Sequence, residues 1–131
     1  MRVKELRLAL TVADYDEALA FYRDALGLPL LEVWTEPDGR VALLDAGRAT
    51  LELLDPAHAA AVDEIEVGRR VAGPVRIALE VDDSTSVADA LEAAGAERIG
   101  GPIDTPWRHR NVRLQAPDGM QLTIFSVLGD E

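Results

Sequence analysis

Cysteine is missing from this 131-residue chain, which excludes disulfides, thiolate metal centres and a cysteine nucleophile. Histidine is nearly missing as well: His58 and His109 are the two present. A metal site needs several convergent donors, so two isolated histidines do not define one. Aromatic residues make up 5% of the chain, two each of Trp, Tyr and Phe. No apolar run approaches the roughly 20 residues that a membrane-spanning helix needs. The start, Met1-Arg2-Val3-Lys4-Glu5, leads into a strand pattern without the apolar stretch of a signal peptide, so a cytoplasmic location is expected. Basic residues are outnumbered 13 to 24, giving a net charge of −11. That balance argues against nucleic acid, whose phosphates require a basic surface. It favours cationic over anionic ligands, although charge of this size also serves solubility alone.

What the chain does have is one unit used twice. Leu8-Ala9-Leu10-Thr11-Val12-Ala13-Asp14 returns as Ile77-Ala78-Leu79-Glu80-Val81-Asp82-Asp83. Each run leads into an Ala-rich helical segment that stops at a glycine, Gly27 or Gly95. Each half closes with a turn and a strand: Asp45-Ala46-Gly47 before Thr50–Leu54, and Pro117-Asp118-Gly119 before Gln121–Phe125. Two copies are too few for an open solenoid. They predict two half-sheets closing around a shared cavity.

The periodicity gives the elements. Leu6, Leu8, Leu10 and Val12 alternate with more polar residues, as do Val75, Ile77, Leu79 and Val81, which is the period of a strand with one apolar face. Asp14, with Glu17 three residues on, reads as the N-cap of a helix over 15–26 that Gly27 ends. Strands are expected at 28–35, 40–44 and 49–54, with Pro37-Asp38-Gly39 as a tight turn. The second half predicts a strand at 75–81, a helix at 84–94 capped by Asp83 or Ser84, and strands at 96–100, 109–115 and 120–127. Gly100-Gly101-Pro102 reads as a turn. The expected organisation is α+β, one domain of two βαβββ modules over 1–55 and 74–131, with helices on the outer faces. Residues 56–73 form the connection, with a short helix near 57–63 and with Asp63, Glu64 and Glu66 on a solvated face.

Asp14, Ala18, Phe21-Tyr22 and Leu26-Gly27, together with Trp107-Arg108-His109-Arg110 and Pro117-Asp118-Gly119, resemble the vicinal oxygen chelate superfamily over nearly the whole chain. That family includes glyoxalase I, extradiol dioxygenases, fosfomycin-resistance enzymes and bleomycin-resistance proteins. The resemblance implies two half-barrel modules around an active cavity. It also implies four metal ligands on the first and last strands of the modules, usually His or Gln and Glu. Carried over one by one, these positions hold Arg7, Glu52, Arg76 and Thr123. Guanidinium has no lone pair to donate and stays protonated, so this set does not suit a divalent cation. No metal and no cofactor are therefore expected. An ion-pair cluster of Glu52 held between Arg7 and Arg76 is expected in the metal's place.

Three functions follow from the resemblance and the missing ligands. The first is a metal-independent binding protein that sequesters a small, flat, cationic aromatic antibiotic or metabolite, as bleomycin-resistance relatives do. The second is a glyoxalase- or dioxygenase-like enzyme with displaced ligands such as Glu5, Glu80 or His109. The third is a metal-free enzyme with Arg7 or Arg76 stabilising an oxyanion and Glu52 as base. The candidate ligand-binding residues are Arg7, Thr11, Trp34, Glu52, Arg76, Glu80, Trp107, Thr123 and Phe125, and catalytic residues are not assigned. Alternation also points Ala9, Thr50, Leu54, Ala78, Arg113 and Gln121 inward. A homodimer is implied by the resemblance, as is a small-molecule ligand. No nucleic-acid or membrane partner is expected.

Overall fold

A computed structural model describes residues 7–8, 10, 12–36, 39–49 and 56–129. The chain divides into two compact units, Met1–Leu53 and Leu54–Glu131. Both are mixtures of helix and strand, and among the described residues neither sheet closes into a barrel. No described helix is long and apolar enough to cross a membrane.

In the first unit, helix α1 (Tyr15–Leu19) begins where the Asp14 carboxylate accepts the Glu17 N–H at 3.0 Å. It continues as a π-helical stretch, Ala20–Ala25, in which the Leu26 N–H reaches back to Phe21 O at 2.9 Å. The wider turn places both Phe21 and Tyr22 inside, with their rings edge to face at 5.2 Å. Gly27 follows with φ +82°, the left-handed conformation that ends the helix. Strands β1 (Leu30–Glu36) and β2 (Gly39–Leu44) then form an antiparallel hairpin. Arg40 ties that hairpin to α1, lying over the Tyr15 ring at 4.2 Å and pairing with Asp16 at 3.0 Å. The strands expected at 6–12 and 49–54, and most of the turn at 37–39, fall on or among positions outside the described residues.

The second unit is α2 (Pro56–Glu66), β3 (Ile77–Glu80), α3 (Ser84–Ala93), β4 (Glu97–Asp104), β5 (His109–Gln115) and β6 (Gln121–Val127). The sheet order is β3-β6-β5-β4, with β3 parallel to β6 and the rest antiparallel. This is one βαβββ module with a helix in front of it. The two faces of the sheet are chemically different. On one, the even-numbered Val112, Leu114, Leu122 and Ile124 are fully buried and form the core with Ala88 and Leu91 of α3. Ser84 Oγ and Ser126 Oγ, 2.8 Å apart, pin α3 to β6 on that side. Asp83 supplies the cap, accepting the Ser86 N–H at 3.3 Å.

Strand residues alternate in direction, so the odd-numbered residues face the other way. Helix α2 lies against that second face, over β4 and β5. It is longer than the short helix expected at 57–63, because Val62, Asp63 and Glu66 share the buried side and extend the pattern by a turn. The Gly100-Gly101-Pro102 run is not a turn but part of β4, where register shifts on either side of Gly100 let the strand bend. The physical reason lies across the interface. A Cβ on Gly100 would overlap the Glu66 carbonyl oxygen, so only glycine lets α2 seat here. Gly100→Ala is expected to lower the unfolding free energy by about 1–3 kcal/mol through overpacking. Urea denaturation measures it, and an unchanged midpoint would mean that α2 does not seat on β4.

Candidate functional site

The odd-numbered face of the second unit gathers most of that unit's candidate residues. In register across the strands lie Ala78 beside Thr123 and Arg113, and Glu80 beside Phe125 and Asn111. His109 and Gln115 extend the row on β5, and Gln121 extends it on β6. This face divides into three parts along the strands.

The middle part is an ion-pair cluster. Arg113 is 0% exposed and Asp63 1%. Arg113 donates to Asp63 Oδ1 at 2.7 Å, to Glu66 Oε1 at 3.2 Å and to Thr123 Oγ1 at 3.2 Å. Thr123 Oγ1 donates to Glu66 Oε1 at 3.2 Å, and Asn111 Nδ2 donates to Glu66 Oε2 at 3.1 Å. Arg76 NH1 donates to Thr123 Oγ1 at 2.7 Å. The other oxygen of Asp63 takes Arg70 NH1 at 2.7 Å and the N–H groups of Val71 and Ala72 at 2.8 and 2.9 Å. Burial by itself raises the Asp63 pKa. The Ala72 and Val71 N–H groups and then the two guanidiniums outweigh it and hold the carboxyl well below the usual carboxylate range.

Asp63 and Glu66 are thus not on a solvated face: the connecting helix delivers both to the interior. Their i, i+3 spacing on α2 places them on one side, opposite Arg113. An ion-pair cluster stands at Arg76 and Thr123, the positions for which the resemblance implies metal ligands in the second module, with its carboxylates supplied by α2. Glu52, the carboxylate expected there, and Thr11 lie outside the described residues. Arg7 is exposed in the first unit, as is Trp34 on β1, opposite Val41 in the hairpin.

The donors at the second-module positions do not fit a divalent metal. Arg76 offers a protonated guanidinium. The Thr123 hydroxyl is occupied by Arg76, Arg113 and Glu66. The two carboxylates of the cluster, Asp63 and Glu66, are committed to arginine.

The upper part of the face is open. The His109 and Phe125 rings stack with centroids 4.7 Å apart and planes 16° from parallel, and both are half-buried. Glu80, exposed, lies next to Phe125 in the register. Asn111, across from Phe125, is buried, and its Oδ1 has no hydrogen-bond partner among the described residues. Trp107, exposed, sits in the β4–β5 turn two residues before His109. That turn is held by Thr105, whose hydroxyl accepts the His109 N–H at 3.1 Å, and by Arg108 at φ 65°. Its carbonyl accepts the Leu128 N–H at 2.9 Å, and its guanidinium donates to the Gly129 carbonyl. His109, an isolated histidine in the sequence, is therefore half of an aromatic platform. Its signal was its parity with Asn111 and Arg113 on β5.

The family model for the Glyoxalase/Bleomycin resistance protein/Dioxygenase superfamily matches residues 6–124, and the chain belongs to that superfamily. It is 27% identical over 130 residues, 96% of this chain and 100% of the other, to the uncharacterised protein YraH of Bacillus subtilis (strain 168). It is 29% identical over 129 residues, 92% of each chain, to a probable lactoylglutathione lyase of Synechocystis sp. (strain ATCC 27184 / PCC 6803 / Kazusa). Among solved structures, a superfamily member from Sphaerobacter thermophilus DSM 20745 is 25% identical with a TM-score of 0.59, covering 88% of this chain and 90% of that one. TnmS3, an antibiotic-binding protein from Streptomyces sp. CB03234, shares the fold at 23% identity and a TM-score of 0.66, over 97% and 98% of the two chains.

Proposed function

We propose that this protein is a metal-independent binding protein for a small, flat, cationic aromatic molecule, held on the second unit's open sheet face. The observation that carries this reading is the stacked His109–Phe125 pair beside the exposed Glu80 carboxylate. A planar ligand stacks on such a platform, and delocalised positive charge strengthens the contact with the ring face. Glu80 and Asn111 Oδ1, which has no partner among the described residues, are acceptors for ring-borne N–H groups. The net charge of −11 draws cations from solution. Trp107 stands at the mouth of the same end, while Arg76 and Thr123 close the floor through the ion-pair cluster. The fold is shared with an antibiotic-binding protein, and an antibiotic is one molecule of this chemistry. The protein acts in this reading as a cytoplasmic homodimer.

A lactoylglutathione-lyase activity is the second reading, favoured by the Synechocystis relative. It requires a metal ligand set that Arg76 and Thr123 do not offer.

Proflavine, a planar cation, tests the proposal with its own fluorescence as reporter. Proflavine is expected to bind, and the anion 9-anthracenecarboxylate to bind at least about tenfold more weakly. Phe125→Ala and Glu80→Gln are each expected to weaken proflavine by about tenfold, the scale of one cation–π or charge-assisted contact. Equal affinity for cation and anion, indifference to both substitutions, or binding only after Zn²⁺ or Ni²⁺ is added would overturn it.

A further inference from the structure

We propose that the opposite end of the same sheet face carries a second binding site, for a small zwitterion of the α-amino-acid type. An open depression of about 400 Å³ lies there, where the chain leaving α2 passes the ends of β4, β5 and β6. Its volume falls in the range of roughly 300–1,000 Å³ that small-molecule sites occupy. Arg69, Glu97 and Gln121 are the polar residues at issue, and Val71 and Ile99 give it an aliphatic wall.

Gln121 is the reason to expect a ligand. It is 6% exposed, and its Nε2 donates to Gln115 Oε1 at 3.2 Å, while its Oε1 has no partner among the described residues. A buried amide oxygen without a donor loses its hydration and gains nothing in exchange. Exchanging the amide's oxygen and nitrogen would only move the deficit to the NH₂ group. Arg69 is the second reason. Its neighbour Arg70 is committed to Asp63 and to the Ala72 carbonyl. Arg69 is exposed and makes no ion pair or hydrogen bond among the described residues.

The chemistry of the wall then selects the ligand. Arg69 offers a guanidinium fork to a carboxylate. Glu97, exposed on the facing edge, and Gln121 Oε1 accept from an ammonium group. Val71 and Ile99 receive a short aliphatic side chain. A bare anion meets Glu97 and the overall charge of −11, whereas a zwitterion carries no net charge into that field. The site is independent of the aromatic platform: Gln121 and Phe125 are four residues apart on β6, about 13 Å, and the Arg113–Glu66–Thr123 cluster stands between them.

L-valine is the probe, titrated into the full chain while the Gln121 side-chain amide and Arg69 Nε signals are followed by NMR. Both signals are expected to shift saturably with a dissociation constant of about 1 mM or below. N-acetyl-L-valine, without the ammonium, and L-valinamide, without the carboxylate, are each expected to bind about tenfold more weakly. Arg69→Ala and Glu97→Gln change exposed side chains, so the fold remains, and each is expected to weaken valine about tenfold. Phe125→Ala is expected to leave the valine titration unchanged, which separates this site from the platform. Unsaturable shifts, valine affinity unaltered by Arg69→Ala, or equal binding of valinamide would overturn the proposal.

Discussion

Arg113→Met is expected to lower the unfolding free energy at neutral pH by about 3–5 kcal/mol, the cost of leaving buried charge without its partner. Arg113 is fully buried and, among the described residues, is the one guanidinium that reaches both buried carboxylates of α2, at 2.7 Å to Asp63 and 3.1 Å to Glu66. Methionine replaces its aliphatic stem and carries none of its donors. Asp63 would keep Arg70 and two backbone N–H groups. Among the described residues Glu66 would keep only Asn111 and the Thr123 hydroxyl, both neutral. The larger part of the loss is therefore assigned to Glu66. The double variant Arg113→Met with Glu66→Leu tests that assignment. It removes the stranded charge and is expected to recover most of the stability, since well-packed apolar replacements of buried pairs are often neutral or better. Urea denaturation of both variants gives the answer. A loss below about 1 kcal/mol for the single variant, typical of exposed pairs, would show that water reaches the cluster.

The cluster also shows where the sequence was legible and where it was not. The repeat identified the βαβββ unit, and β5 and β6 fell within a residue of the expected 109–115 and 120–127, because alternation over seven residues is a strong signal. Arg76 and Thr123 were placed together by resemblance, and they meet at 2.7 Å. Asp63 and Glu66 were missed. Two acids in a connecting segment ordinarily face water, and nothing local marks them otherwise. Their burial is a tertiary fact: Gly100 removes the side chain that would keep α2 off β4, and Arg113, far along the chain, supplies the charge. The pairing of Gly100 with an i, i+3 acid pair has meaning only once the helix is known to cross that strand. His109 was under-read for a similar reason. It was counted as a lone histidine, but its strand parity puts it on the same face as Phe125 across the β5–β6 pair.

Acid should expose the same cluster from the proton's side. Asp63 has its carboxyl held below the ordinary value of 3.8. A carboxyl with a depressed folded-state pKa gives its full stabilisation above the unfolded-state value, and loses it as pH falls toward the folded-state value. Wild-type stability is therefore expected to hold from neutrality down to about pH 4.5 and to fall steeply below about pH 4, where the unfolded chain binds a proton that the folded chain refuses. Asp63→Asn is expected to start lower at pH 7, by about 2–4 kcal/mol. It strands Arg113 and Arg70 opposite an uncharged amide and sets an NH₂ group against donors. Its remaining stability is expected to change less between pH 4.5 and pH 3 than that of the wild type, because the group that titrates there is gone. The difference between the two pH profiles isolates Asp63 from the many exposed carboxylates common to both. Parallel profiles, with the variant simply displaced downward, would mean that Asp63 titrates like a solvated acid and that the backbone N–H groups of Val71 and Ala72 do not hold it. Those two bonds also fix the chain that leaves α2 and forms the wall containing Val71, so the variant is expected to loosen that segment. Faster amide exchange at Val71 and Ala72 would register it.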